Sequence, residues 1–292
     1  MITNIVNTSL SSGSFPSSLK KSIITPVIKK STSDPNALKS YRPVANITFL
    51  SKMIEKAVTS QVTDHVDSNG LGEENQSAYK RHHSTETALL RVKNDVMQSL
   101  DKGRAVLMVL LDMSAAFDTV DHGILLSRLE SRFGISGVVN SWFGSYLADR
   151  STRVTIKNTF SRQHTLNYSL PQGSIIGPQC FTLYITPVGD IIRDHDISFH
   201  SYADDIQLFV EFDPKSQSDC QNKLDRLSSC IAKVNEWMVE NTLQLNQEKT
   251  EFIVFAGSRV LPALTNIVLS LGNVSVYPSS SVKTWVLSSM RL

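Results

Sequence analysis

The segment His200-Ser-Tyr-Ala-Asp-Asp-Ile-Gln-Leu-Phe209 places two adjacent carboxylates between two short runs of strand-forming residues. The apolar and aromatic residues on both sides favour two strands, and Ala203-Asp204-Asp205 fits the tight turn that would join them. Asp is also a common turn residue because its side chain caps backbone amides, so the pair could simply be solvated. A further carboxylate from another part of the chain would favour a functional site.

A predicted buried strand supplies such a carboxylate. An uninterrupted apolar run, residues 105–111, leads directly into Asp112. A run of this kind is typical of a strand buried on both faces, and such strands commonly end at functional sites. We expect Asp112 to meet the hairpin tip, where neighbouring carboxylates repel one another unless cations lie between them. Hard oxygen ligands suit Mg²⁺, and two such ions can activate a 3′-hydroxyl and stabilise a leaving pyrophosphate.

Three segments resemble the palm motifs of reverse transcriptases: LDMSAAFD at 111–118, LPQGSIIGP at 170–178 and YADD at 202–205. The chain most resembles the non-LTR retrotransposons of the jockey-like kind. The similarity extends from Ile24 to about Val282, with the motifs in the same order. It implies an α+β fold, the fingers and palm of a right-hand polymerase, with a ferredoxin-like antiparallel sheet backed by helices.

The same resemblance implies an RNA-directed DNA polymerase that uses an RNA template, a DNA primer and dNTPs. Its metal ligands would be Asp112, Asp204 and Asp205, which would hold two Mg²⁺ ions, with Mn²⁺ as an alternative. Lys249 resembles the motif D lysine proposed to donate a proton to the departing pyrophosphate. A surface lysine without a catalytic role fits the pattern at 249 equally well.

A basic hairpin is predicted near the start of the chain, with strands at 22–28 and 41–44. Lys29, Lys30 and Arg42 lie near its turn. The resemblance implies that Arg42 and one of the two lysines contact the triphosphate of the incoming nucleotide. Charge alone fits a solvated basic turn equally well.

Other residues are assigned to the nucleotide pocket by resemblance. Phe117 is similar to the steric gate that excludes a 2′-hydroxyl, although an aromatic residue there also fits an ordinary core. Gln172 and Gly173 lie in a loop that holds the nascent base pair in the family, and a glycine permits close backbone approach. This loop departs from the family at Ser169-Leu170, where Gly-Val is usual.

The segment 75–86 resembles a fingers motif near the template. The resemblance assigns Gln76, Tyr79 and Lys80 to template binding, and an exposed loop without function is the alternative. Ser84 is predicted to be the N-cap of the helix that follows, and Asp121 that of a later helix. Apolar spacing also predicts helices at 47–67, from Pro178 to Ile192, and around 224–238.

The composition and the residue spacing argue against several other classes of protein. A chain of 292 residues with 41% hydrophobic residues can bury a substantial core, and its net charge of +2 is too small to predict nucleic-acid binding by itself. Three cysteines without paired spacing give no disulfide framework, and no Cys/His pattern predicts zinc. No apolar run is long enough for a membrane span. We therefore expect a soluble, intracellular protein with no membrane partner.

The predicted organisation is a flexible or short helical lead-in at 1–19, fingers with part of the palm at 20–103, the palm at 104–283, and a divergent tail at 284–292. The thumb and a preceding endonuclease domain are expected to be missing, so the chain resembles part of a longer element. A second hypothesis is therefore a truncated, catalytically inactive remnant that at most binds nucleic acid. A third, an RNA-dependent RNA polymerase, is disfavoured by Phe117 and by the Pro-Gln-Gly at 171–173.

Overall fold

The protein mixes helices and strands, as the predicted α+β class requires. The computed structural model describes residues 2–157, 159–264, 266–272 and 274–279, so the predicted tail at 284–292 and the boundary at 283 lie outside the described residues. The helices are α1 (Ile2–Ser11), α2 (Phe49–Ser68), α3 (Thr85–Asp101), α4 (His122–Ser131), α5 (Gly137–Leu147), α6 (Gly177–Ile185), α7 (Pro187–Asp194) and α8 (Gln217–Glu240). The strands are β1 (Lys21–Ile28), β2 (Tyr41–Asn46), β3 (Ala105–Leu111), β4 (Arg150–Ile156), β5 (Thr159–Phe160), β6 (His164–Leu166), β7 (Ser198–Tyr202), β8 (Asp205–Phe212), β9 (Glu251–Phe255), β10 (Leu269–Leu271) and β11 (Val274–Val276).

The chain divides into two compact units, each built from two separate stretches. The first unit contains residues 1–72 and 117–184, and the second contains 73–116 and 185–292. In the described part of the chain, no helix combines the length and the apolar character that crossing a membrane requires.

The first unit is built on a five-stranded sheet in the order β2-β1-β4-β5, with β6 also paired to β4. Strands β1 and β2 form the predicted basic hairpin, and β4 pairs antiparallel with β6. Strand β1 also pairs in parallel with β4, which is more than 120 residues away in the chain. The chain between them includes α2, α4 and α5, because parallel strands need a long crossover connection.

The lead-in packs against the core of this first unit. Residues 2–11 form α1, and the buried Phe15 that follows packs edge-on against the rings of Trp142 and Tyr146. The indole nitrogen of Trp142 donates to the Ser9 hydroxyl at 3.0 Å. Of the two alternatives for residues 1–19, the short helix is the one that the structure contains.

The second unit contains the sheet β7-β8-β3-β9, in which every neighbouring pair is antiparallel. All residues of β3 are buried, as its apolar run predicts. Val92 and Val96 of α3 pack on one face of β3 with Val106, Met108 and Leu110. Leu111 points to the other face and lines a cavity shared with Ile231 of α8. The strand is apolar throughout because both of its faces are covered.

Local signals were confirmed at the starts of two helices and were wrong for the extent of a third. Ser84 and Asp121 both accept a hydrogen bond from the first turn of their helices, as expected of N-caps. The single helix predicted from Pro178 to Ile192 is instead two helices, because α6 ends at Ile185 and α7 begins at Pro187. A proline lacks the backbone N–H that a continuous helix would use.

Candidate active site

The two-residue turn between β7 and β8 carries the paired carboxylates. Tyr202 pairs with Asp205, so Ala203 and Asp204 form the turn and Asp205 is the first residue of β8 rather than part of the turn. Ala203 has a φ of +57°, a left-handed conformation that is unfavourable for a residue other than glycine. The tip of the hairpin is therefore held in a conformation that its surroundings must enforce.

Asp112 lies beside this hairpin because of the strand register. The last pair between β3 and β8 is Leu111 with Ile206, and the same register continued by one residue brings Asp112 opposite Asp205. Side chains opposite each other in an antiparallel pair lie on the same face, with Cβ atoms about 5 Å apart. The structure therefore brings together, within the second unit, the carboxylates that the sequence predicted to converge.

The charges around the hairpin tip are coupled. Burial raises the pKa of the Asp204 carboxyl above its ordinary value, and the negative charge of Asp112 raises it further. Lys249 acts in the opposite direction, and its Nζ lies 2.9 Å from Oδ2 of Asp112. Asn246 N donates to Asp112 O at 2.8 Å, which fixes Asp112 beside the segment that carries Lys249.

The carboxylates near the hairpin tip are candidate ligands for a cation. Among the described residues, no group of three or more His, Cys, Asp or Glu side chains is close enough to hold a metal ion as arranged here. Asp112, Asp205 and Gln207 nevertheless line one small cavity together with Lys249. Gln207 is 2% exposed, and its Oε1 atom is buried without a hydrogen-bond partner. Carboxylates beside an orphaned amide oxygen suit a hydrated, hard cation such as Mg²⁺.

The basic hairpin of the first unit brings two of its three candidate phosphate ligands to one face. Arg42 pairs with Val27, and the Lys29 N–H donates to Ser40 O at 2.8 Å, so the pairing continues past the end of β1. Because alternate residues of a strand share a face, Lys29 lies on the same face as Val27 and Arg42. Lys30 follows in the turn, and the side chains of Lys29, Lys30 and Arg42 are exposed.

The predicted nucleotide-pocket loop is also in the first unit, where it is tied to β2. Ala45 N donates to Gln172 O at 2.8 Å, and Gly173 follows with a φ of +108°. A Cβ atom at Gly173 would lie 2.7 Å from Ala45 O. Only glycine fits this close approach. The side chain of Gln172 donates to Asp118 Oδ1 at 2.9 Å.

Phe117 lies beside this loop. Its carbonyl accepts a hydrogen bond from Leu170 N at 2.8 Å, and its half-buried ring stacks on Phe181 with centroids 4.8 Å apart. Ser169 has a φ of +91°, so the serine takes a backbone conformation that suits the glycine usual in the family.

Sequence reasoning missed Glu55, which supports the same loop. Glu55 is fully buried, and its Oε2 atom accepts from Ile175 N at 2.7 Å. Its Oε1 atom accepts from the hydroxyls of Ser51 and Tyr146. The apolar spacing at 47–67 would place Phe49 in the core, but its side chain is instead 70% exposed. The available signal was the spacing of Ser51, Glu55 and the apolar residues that follow on the same helical face.

The three predicted template residues occupy different environments in the second unit. Tyr79 has a φ of +58° and is 58% exposed, and partial burial together with the negative charge of Asp204 raises the pKa of its phenol. Lys80 is half-buried. Gln76 is buried, and its amide group bonds to Ala203 of the turn between β7 and β8.

The chain matches a family model described as reverse transcriptase (RNA-dependent DNA polymerase) over residues 28–283. It therefore belongs to the reverse transcriptase family. It is homologous to the RNA-directed DNA polymerases of Drosophila non-LTR retrotransposons, as its motifs predicted.

Two of these relatives come from Drosophila melanogaster. The probable RNA-directed DNA polymerase from transposon BS is 28% identical over 244 residues, which cover 81% of this chain and 26% of that protein. The RNA-directed DNA polymerase from mobile element jockey is 26% identical over 260 residues, which cover 86% of this chain and 27% of that protein. This chain therefore spans about a quarter of the length of the curated relatives it matches.

Solved structures with a similar fold include telomerases. The apo telomerase from Candida tropicalis truncated from its C-terminal domain has a TM-score of 0.56 at 11% identity, covering 82% of this chain and 51% of that chain. Telomerase from Candida albicans in complex with a telomeric RNA fragment has a TM-score of 0.55 at 10% identity, covering 91% of this chain and 47% of that chain. At this identity the likeness shows the fold alone, which is that of polymerase fingers and palm.

Proposed function

We propose that this chain is the RNA-directed DNA polymerase domain of a non-LTR retrotransposon and that it adds deoxynucleotides to a primer 3′-hydroxyl on an RNA template. One observation carries the proposal: the register of β3 with β8, continued by one residue, brings Asp112 opposite Asp205, and Asp204 directly precedes Asp205 in the turn. The sequence similarity to proteins described as RNA-directed DNA polymerases supports it.

In the proposed reaction, the primer 3′-oxygen attacks the α-phosphorus of the dNTP. The 3′-hydroxyl loses its proton to solvent, a new P–O bond forms, the bond between the α-phosphorus and its bridging oxygen breaks, and pyrophosphate leaves with that electron pair. Asp112, Asp204 and Asp205 would hold two Mg²⁺ ions. When bound, these ions would lower the pKa of the 3′-hydroxyl and neutralise the charge that develops on the phosphates.

The remaining groups bind the nucleotide and move protons. Arg42 and Lys29 contact the triphosphate, and we choose Lys29 over Lys30 because Lys29 shares a strand face with Arg42. Gln172 and Gly173 line the base-pair pocket, and Phe117 packs under the sugar. Lys249 donates a proton to the departing pyrophosphate, a role that suits a cation beside a developing negative charge.

A primer-extension assay with the 292-residue chain tests the proposal. We expect Mg²⁺-dependent incorporation of dNTPs on an RNA template and a loss of about 10³-fold or more with Asp204→Asn, because a neutral amide cannot replace a carboxylate ligand. Asp101→Asn, at an exposed position at the end of α3, is the matched control. Equal rates for the wild type and Asp204→Asn would reject the catalytic assignment. A preference for ribonucleotides would favour an RNA polymerase instead.

A further inference from the structure

The side chain of Gln76 is hydrogen-bonded to the turn between β7 and β8. Its Oε1 atom accepts from Ala203 N at 3.0 Å, and its Nε2 atom donates to Ala203 O at 3.3 Å. The same Oε1 atom accepts from Ala78 N at 2.9 Å. Gln76 is 7% exposed, so the amide group is committed to these three contacts.

These bonds fix the two peptide planes that precede Asp204. The N–H of Ala203 belongs to the peptide that follows Tyr202, and its carbonyl belongs to the peptide that leads into Asp204. Ala203 has a φ of +57°, which is a sparsely populated conformation for alanine. A conformation of this kind persists only where neighbouring groups determine it, and Gln76 supplies both hydrogen bonds that do so.

The segment that carries Gln76 is itself anchored along β7, at an edge of the sheet. Ser201 N donates to Asn75 O at 2.8 Å, and Ser77 N donates to Ser201 O at 3.0 Å, which forms a short parallel bridge. The Ser77 hydroxyl lies 2.9 Å from His200 Nε2 and 2.9 Å from His83 Nδ1. Backbone hydrogen bonds of Asn75 and Ser77, the two chain neighbours of Gln76, therefore hold it in place.

We propose that Gln76 is a positioning residue that sets the direction of the Asp204 and Asp205 carboxylates through the backbone of Ala203. This differs from a contact with the template, since the amide group is buried and its donor and acceptor atoms are occupied within the protein. The expected effect on nucleotide incorporation rests on the proposed function. The structural part, which is the positioning of the turn by Gln76, does not.

Gln76→Met tests the inference because methionine has a similar length and lacks both amide atoms. Hydrogen exchange of the full chain without substrate measures the structural part. We expect the Ala203 amide to exchange about tenfold faster in Gln76→Met, because a buried hydrogen bond is lost and the turn opens more often. Gln98→Met, at an exposed position on α3, should leave that rate unchanged.

Gln76→Glu is the conservative variant. Its carboxylate retains an acceptor for the Ala203 and Ala78 amides but places a second acceptor oxygen against Ala203 O, where the wild type has a donor. Protection of the Ala203 amide should therefore fall in the order wild type, Gln76→Glu, Gln76→Met. A result in which both substitutions leave the exchange rate unchanged would overturn the inference. Gln76→Glu also serves as the test if Gln76→Met does not fold.

Single-turnover incorporation distinguishes positioning from template binding. Misplaced carboxylates should lower the maximal rate by about 10²-fold in Gln76→Met while the dissociation constant for template and primer stays the same. A raised dissociation constant at an unchanged rate would instead show that Gln76 binds the template. If the wild type does not incorporate nucleotides but Ala203 still exchanges faster in Gln76→Met, the proposed function fails and the positioning of the turn stands.

Discussion

Lys249 Nζ lies 2.9 Å from Asp112 Oδ2, so the candidate general acid is also the cation that balances one of the candidate metal ligands. The Lys249 side chain is 64% exposed and the Asp112 side chain is 29% exposed. A partly solvated ion pair contributes little to stability and separates readily. Lys249 is thus free to leave Asp112 when a cation of higher charge binds there.

Lys249→Met should separate these two roles. We expect the single-turnover rate of nucleotide incorporation to fall by about 10²-fold, which is the usual contribution of a general acid. We also expect Mn²⁺ to bind more tightly, because the competing ammonium group is gone; titration calorimetry without nucleotide measures this. Lys215→Met, at an exposed position before α8, is the control. If only Mn²⁺ affinity changes, Lys249 is a counterion and not an acid.

Phe117→Val should admit ribonucleotides. The smaller side chain removes the ring that would meet a 2′-hydroxyl, so discrimination against rNTPs should fall by at least about tenfold. Competitive incorporation of dNTP and rNTP measures this ratio, and Phe117→Tyr, which keeps a ring to stack on Phe181, should preserve it. If Phe117→Val lowers the melting temperature and leaves the ratio unchanged, Phe117 is only a core residue.

Gly173→Ala should be more destabilising than the same change at another glycine with positive φ. The new methyl group would lie 2.7 Å from Ala45 O, whereas at Gly134, with a φ of +66°, it would meet no atom within 4 Å. Both variants carry the strain of an alanine with positive φ, and Gly173→Ala adds the clash with Ala45 O, so it should lose about 2 kcal/mol more than Gly134→Ala. Urea unfolding measures it. Equal losses of stability would mean that the loop moves away from β2 without penalty.

The buried His200 should make stability depend on pH. Burial lowers the pKa of His200 to about 4, and the positive charges of Arg91 and His83 add to the effect. The unfolded chain takes up this proton near the ordinary histidine pKa of 6.5, so the free energy of unfolding should decrease as pH falls from about 6.5 to about 4. Urea unfolding at several pH values measures the slope.

His200→Gln should flatten that slope, because glutamine can still bond the Ser77 hydroxyl and does not titrate. His164→Gln, at an exposed position on β6, should retain it. An unchanged slope in His200→Gln would assign the pH dependence to other groups.

Features encoded within a few residues could be predicted from the sequence. The turn at 203–204, the doubly buried strand ending at Asp112, and the caps at Ser84 and Asp121 all depend on local patterns of polarity and side-chain hydrogen bonding. The convergence of Asp112 with the hairpin could be expected from the sequence but could not be derived from local patterns. It depends on the register of β3 with β8, which pairs residues about a hundred positions apart.

The sequence by itself determined the basic hairpin, the buried strand before Asp112, the two caps and the family, since each is carried by neighbouring residues or by motifs in a fixed order. The tertiary structure decided which polar side chains act as internal supports. Glu55 and Gln76 look like an ordinary helix position and an exposed loop position, yet each is buried against backbone groups of a distant loop. A buried hydrogen bond needs both partners, and the partner is known only when the chain has folded.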